Sequence, residues 1–279
     1  IVVSDGSTDA TEAIAKRYGV RAIRNDAQSG ASYARNVGVT AARGDVFFFV
    51  DADCVLAPDA IQRGLAALAD GWQVVFGSYS AETSAPGFLA RFKNYQHHYT
   101  HHRAQEVQTS FWSGCGVVTR RAFEAVGGFD VSLRACEDIE FGFALTRAGF
   151  PVRLLKEMQV EHLKRYSLRG LVKSDLLQRA VPWTRLIRSG RSEMGKLNTG
   201  RAGVSSVAFT GLFWLALAAS PFAPAVLLPL ALTALAAMAA TNAGLLGFIV
   251  ERGGWSCAPR SVAALLLHFT ICGAGFALA

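Results

Sequence analysis

The stretch that most constrains what this chain can fold into is VFFFVDADC, from Val46 to Cys54. Five consecutive apolar residues, all β-branched or aromatic, read as a central strand buried on both faces of a parallel sheet. Asp51 and Asp53 follow where that strand runs out. Along an extended chain, side chains two apart point the same way. The pair therefore predicts a hard oxygen site at the carboxyl end of a strand, where α/β sheets bind their ligands. Such a site suits a divalent cation that keeps open positions for phosphate oxygens. An isolated D-A-D also describes two solvated aspartates in a turn, and the segments on either side decide between the two.

Those segments alternate. Ile1 to Val3 end a strand, and Asp9 with Glu12 makes a capping-box-like helix start. That helix runs to Tyr18 and stops at Gly19, and Val20 to Ile23 form a strand. A helix over Gly30 to Arg43 closes at Gly44. Pro58 opens another, with Ile61, Leu65 and Leu68 on one face. Trp72 to Gly77 is a strand. This alternation predicts an α/β fold with a mainly parallel sheet. Further on, Arg120 to Val126 and Glu137 to Ala148 read as helices, and Val152 to Leu155 and Met158 to Val160 as short strands before His162. Between them, NYQHHYTHH gives His97, His98, His101 and His102 helical spacing. Two imidazole pairs so placed suit a metal site, or simply a helix or loop near a membrane or acceptor.

Composition divides the chain near residue 200. Overall it is 51% hydrophobic, high for a soluble enzyme, yet from Val204 onward only Glu251, Arg252 and Arg260 carry full charges. Three apolar segments follow: Val204 to about Ala219, Ala225 to Val250, and Val262 to Ala279. The second is long enough to cross about 30 Å of hydrocarbon. Two or three membrane helices are expected, a re-entrant hairpin being the alternative for the short first segment. The net charge of +7 is concentrated just ahead of them, with thirteen Lys/Arg against four Asp/Glu between Arg147 and Arg201. Basic residues beside a span mark the cytoplasmic side and attract anionic headgroups, which argues against nucleic acid as the partner. Ser167 to Arg188 is a basic amphipathic segment that Pro182 is expected to kink or split, suited to the membrane interface or to docking on the soluble part. The five cysteines are odd in number and form no C-x-x-C pair, which fits a reducing compartment. The expected organisation is a catalytic domain over 1–165, an interfacial segment over 166–201 and a transmembrane region over 202–279.

Five motifs in order, IVVSDGSTD, GASYARNVG, FFFVDADC, FWSGCG and CEDIEFGFAL, resemble the pattern of glycosyltransferase family 2. The resemblance covers about residues 1 to 165. It implies a GT-A fold, a nucleotide-diphosphate sugar donor, Mg2+ or Mn2+, and inversion at the anomeric carbon. By resemblance, Asp53 binds the metal, and Asp51 contacts the donor ribose or helps place the metal. Asp5 meets the donor's base, Arg35 lies near the donor, and Asp138 is the base that deprotonates the acceptor. Glu137 contacts the acceptor or supports its loop, Trp112, Ser113 and Gly114 shape the donor–acceptor pocket, and His162 approaches the metal or diphosphate. In the first helical turn, Asp138 is expected to stay ionised through the helix dipole.

Departures from the pattern also carry information. Ser4 stands where many relatives have an aspartate, and the family's first strand does not precede Ile1. The Q-x-x-R-W signature of processive synthases is absent, since Gln178, Arg179 and Trp183 have the wrong spacing. A single-transfer enzyme is therefore expected, anchored as a multi-pass protein in the cell membrane with its catalytic domain on the cytoplasmic side. The expected acceptor is a membrane lipid or a lipid-linked group such as a polyprenyl phosphate. The rival reading is a capsule or exopolysaccharide transferase extending a glycan, and a more distant one is a non-catalytic nucleotide-sugar-binding membrane protein.

Overall fold

The computed structural model describes residues 1–194, 197 and 200–279. Residues 195, 196, 198 and 199, near the end of the expected interfacial segment, lie outside the described residues. The chain forms two compact units. One comprises Ile1–Gly77 and Gln105–Val160, the other Ser78–Ala104 and Glu161–Ala279. Residues 78–104 thus join the second unit, although they fall inside the stretch expected to be catalytic.

The first unit has the expected α/β architecture. Strands β1 (Val2–Asp5) and β2 (Ala22–Asn25) pair in parallel, with α1 (Thr11–Arg17) between them in sequence. Helix α2 (Ala31–Ala41) leads to β3 (Val46–Val50), β4 (Cys54–Leu56), α3 (Ala60–Ala69) and β5 (Val74–Tyr79). After α4 (Phe88–Arg103) come β6 (Val107–Gln108), β7 (Cys115–Thr119), α5 (Arg120–Ala125), α6 (Glu137–Arg147) and β8 (Val152–His162). The larger sheet runs β3-β7-β5-β8-β4, with β6 also on β8. Because β7 is antiparallel to both β3 and β5, those two strands point the same way.

Three expectations change on this scaffold. Strand β3 lies at the end of the sheet order, not its centre, and Val46 and Val50 stay exposed. Its three phenylalanines carry the burial. Phe47 and Phe49 enter an aromatic cluster with Phe111, Phe123 and Phe129, while Phe48 packs on the opposite core of Val75, Val117 and Met158. Helix α3 turns its other face inward: Ile61 and Leu65 are about half exposed, and Ala60, Gly64 and Ala67 are buried. A Cβ on Gly64 would come within 2.8 Å of Val117, so only the small-residue face fits against the sheet. The capping box does not form, because Asp9 accepts from Thr11 while Glu12 accepts from Arg24 and Ser4.

The second unit is helical apart from the strand ends that reach into it. It contains α4, α7 (Leu168–Asp175), a π-helical turn (Leu176–Ala180) and α8 (Val181–Arg188). It continues with α9 (Arg201–Ala219), α10 (Pro224–Thr241), α11 (Ala243–Gly253) and α12 (Ala258–Leu278). Phe92 of α4 is buried with Met238, Leu245, Ile249, Leu265 and Phe269, which explains why α4 belongs here. Pro182, expected to kink or split this segment, sits at the start of α8 just after the π-helical turn, where the segment divides into α7, that turn and α8. Among the described residues, three helices, Arg201–Ala219, Pro224–Thr241 and Trp255–Leu278, are long and apolar enough to cross a membrane. The expected segment Ala225 to Val250 is divided at Asn242, whose side-chain amide donates to Ser206 Oγ and the Met238 carbonyl and so ends α10. In α4 the four histidines pack by their faces: His98 stacks on His102 at 4.0 Å and His97 on Tyr79 at 4.7 Å. Among the described residues, this run does not bring three metal-ligating atoms together.

Candidate active site

Strand β3 stops at Val50, and the Cys54 N–H donates to the Asp51 carbonyl at 3.0 Å. The D-A-D segment is therefore a tight turn rather than an extended tail, and strand alternation does not orient its carboxylates. An ion-pair network holds Asp51 instead. Arg35, in the middle of α2, donates from Nη2 to Asp51 Oδ1 at 2.8 Å and from Nη1 to Glu137 Oε1 at 2.6 Å. One planar guanidinium thus joins the end of β3 to the start of α6, a fork geometry that lysine cannot reproduce. The Arg35 guanidinium also sits over the Phe129 ring, 5.3 Å from its centroid, and its side chain is only 15% exposed.

The neighbouring residue locks this arrangement. Asn36 donates to the Phe129 carbonyl at 2.8 Å and accepts from the Phe129 N–H at 3.0 Å. Sequence reasoning selected Arg35 and missed Asn36, although the A-R-N triplet placed both together. Cys136 was missed too. It caps α6 in the left-handed region at φ 59°, a conformation unusual for a residue with a side chain. This turn delivers Glu137 and Asp138 side by side, and no pattern in the sequence marks it.

Asp138 Oδ1 accepts from the Ile139 N–H at 2.9 Å. Its carboxyl is pushed well above the usual carboxylate range, first by burial and then by the negative charge of Glu137, with Asp51 adding to the effect and Arg35 opposing it. Burial and like charge outweigh the helix-dipole argument, so the expectation of a comfortably ionised Asp138 does not hold. Asp53 lies in the same turn as Asp51, with the Cys54 thiol 4.0 Å from its Oδ1. Burial, then Asp51 and Asp53, push the Cys54 thiol far up, which keeps it protonated. The donor set here is therefore hard carboxylate oxygen, which fits Mg2+ or Mn2+.

The Trp112–Gly114 loop is fixed from beneath. Phe111 is buried against Phe141 of α6 and Phe76 of β5. Ser113 is buried, and the Trp112 ring lies so close over Gly114 that a Cβ there would be 2.5 Å from it. Two further predicted residues have partners of their own. Asp5 accepts from the Ser29 and Gly30 amides and from Asn25 Nδ2, so its carboxylate organises the loop entering α2. Burial would raise its pKa, but these hydrogen bonds outweigh that and hold it below the ordinary range. His162 ends β8 in the second unit, where its carbonyl accepts from Thr83 Oγ1 and its ring meets Tyr79 edge-on at 5.3 Å.

Comparison with known proteins agrees with this architecture. A protein from Bacillus subtilis (strain 168) named "Putative glycosyltransferase EpsH" is 35% identical over 92 residues, covering 31% of this chain and 26% of that protein. The chain thus spans about a quarter of that relative. Among solved structures, the mannosyltransferase PcManGT from Pyrobaculum calidifontis, in complex with GDP-Man and Mn2+, superposes with a TM-score of 0.55 at 17% identity. That match covers 98% of this chain and 76% of the other, and it shows a shared GT-A fold. The family described as Glycosyl transferase family 2 matches residues 1–127. Residues 1–127 are thus similar to glycosyltransferase family 2.

Proposed function

We propose that the protein is an inverting, metal-dependent glycosyltransferase that moves a sugar from a nucleotide-diphosphate donor to a membrane-associated acceptor. The observation that carries this reading is the Arg35 bridge, which draws Asp51, Glu137 and Asp138 into one acidic cluster at the carboxyl end of β3. Asp51 and Asp53 are the residues that would hold a divalent cation. When bound, that ion would neutralise charge developing on the departing diphosphate. Asp138 is the candidate base. A carboxyl with a raised pKa is a stronger proton acceptor once ionised, and it is matched to an acceptor hydroxyl at near-neutral pH. Arg35 limits repulsion among the acids, and Glu137 in turn raises the basicity of Asp138.

The acceptor reading rests on the second unit. Three helices are apolar and long enough to cross a bilayer, and the basic stretch between Arg147 and Arg201 precedes them. This supports a multi-pass membrane protein with its catalytic residues on the cytoplasmic side and a lipid or polyprenyl phosphate acceptor. A transferase extending a capsule or exopolysaccharide glycan shares the same site chemistry, and product length separates the two. The test is incubation of the protein in membranes with a panel of nucleotide sugars and Mn2+. The expected result is consumption of one donor, loss of turnover with EDTA, and a lipid-extractable product of inverted anomeric configuration. Nucleotide binding without turnover of any donor would overturn the reading in favour of a non-catalytic binding protein.

A further inference from the structure

Helix α12 carries His268 and Cys272 one helical turn apart, so both side chains share a face. Cys272 Sγ lies 3.8 Å from His268 Nε2. The other ring nitrogen, Nδ1, lies 3.6 Å from Asp175 Oδ2, at the end of α7. Lys93 Nζ of α4 holds that same oxygen at 3.0 Å and is itself fixed by Gln96 Oε1 at 3.1 Å. Thiol, imidazole and carboxylate thus stand in the order nucleophile, base, orienter. All of these groups belong to the second unit, and none takes part in the acidic cluster around Arg35.

We propose that Cys272 is an activated thiol and a covalent modification site for apolar α,β-unsaturated carbonyl compounds. The imidazole contacts the thiol through Nε2, and the carboxylate near Nδ1 favours the tautomer with its hydrogen on that nitrogen. Nε2 is then the acceptor for the thiol proton. The sulfur electron pair forms a C–S bond at the β-carbon, and the carbon–carbon π pair shifts to give an enolate. The enolate takes the proton back from His268 at the α-carbon. One S–H bond and one π bond become one C–S and one C–H bond, with no leaving group and no oxidant.

The surroundings select the class of reagent. Cys272 is half-buried in a helix apolar enough to cross a membrane, so an electrophile that partitions into hydrocarbon reaches it best. The charged groups facing the pair are Asp175 of α7, Lys93 of α4 and, beside Asp175, Arg179 of the π-helical turn. The other cysteines lack this setting. Burial raises the thiols of Cys54 and Cys115, the latter to about 12. Cys257, at the entry to α12, donates to the Gly253 carbonyl at 3.1 Å.

The test is labelling of the full chain in membranes with N-ethylmaleimide, read residue by residue by mass spectrometry. Cys272 is expected to react at least about tenfold faster than Cys257. Its rate should level off above neutral pH, where the imidazole is free to accept the proton, whereas an ordinary thiol still speeds up about tenfold per pH unit there. His268→Gln should bring Cys272 down to the Cys257 rate and leave Cys257 unchanged. A wild-type Cys272 that labels no faster than Cys257, with an ordinary pH dependence, overturns the proposal whether or not the His268 variant folds.

Discussion

Arg35 decides the electrostatics of the acidic cluster. Its two bonds, to Asp51 and Glu137, place one positive charge between two carboxylates of the cluster. Arg35→Ala removes one partner of a largely buried pair, for which a cost of about 3–5 kcal/mol is usual. A thermal melt should show the loss. Arg35→Lys should recover part of that stability but little of the activity, because an ammonium cannot hold both carboxylates in one plane.

Asp138 gives a pH signature with a definite sign. Because burial and Glu137 raise its pKa, activity requiring its ionised form should climb with pH through a midpoint above the ordinary carboxylate range. Glu137→Gln removes a neighbouring negative charge and should move that midpoint down. Asp138→Asn should abolish transfer to an alcohol acceptor almost completely. With a phosphate acceptor no proton need be removed, so much of the rate should remain. The kcat/KM profile of the three proteins with both acceptor types measures this directly.

At the scale of elements, α6 is placed by a glycine. Gly142 lies against the backbone of Ser110 and Phe111, where an added Cβ would overlap main-chain atoms that cannot rotate away. Gly142→Ala must therefore shift the helix that carries Glu137 and Asp138. We expect a loss of about 1–3 kcal/mol, as for overpacked cores, with a fall in kcat larger than the fall in stability. Chemical denaturation beside single-turnover kinetics separates the two effects. The elements also show how far sequence could be read. Phe47 to Phe49 and the acids after them were legible because a hydrophobic run and its polar end are local patterns. The burial of α3 was not, because Ile61 and Leu65 make a stronger apolar stripe than Ala60, Gly64 and Ala67. Only the close approach of Val117 selects the smaller face. The Asn36 clamp on Phe129 joins residues 93 apart in the chain, beyond any local pattern.

Over the whole molecule, charge and hydropathy separate along the chain more sharply than secondary structure does. Thirteen basic residues against four acidic ones lie between Arg147 and Arg201, directly ahead of the three apolar helices. Such a bias sets orientation through the charges nearest the first span, and each Lys or Arg near an anionic surface contributes about 1 kcal/mol. The candidate catalytic residues of the first unit precede this block in the chain. They are therefore expected on the side that retains the basic residues. Protease added to inverted membrane vesicles should digest the first unit, and protease added to right-side-out vesicles should leave it intact. Replacing Arg185, Arg188, Arg191 and Arg201 together with Gln removes four of the thirteen basic charges ahead of the first span. The variant should yield a mixed population, with a fraction of the first unit now cleaved in right-side-out vesicles. If the wild-type protein is digested from the outside, its sugar donor would have to be available there, and the cytoplasmic assignment falls with it.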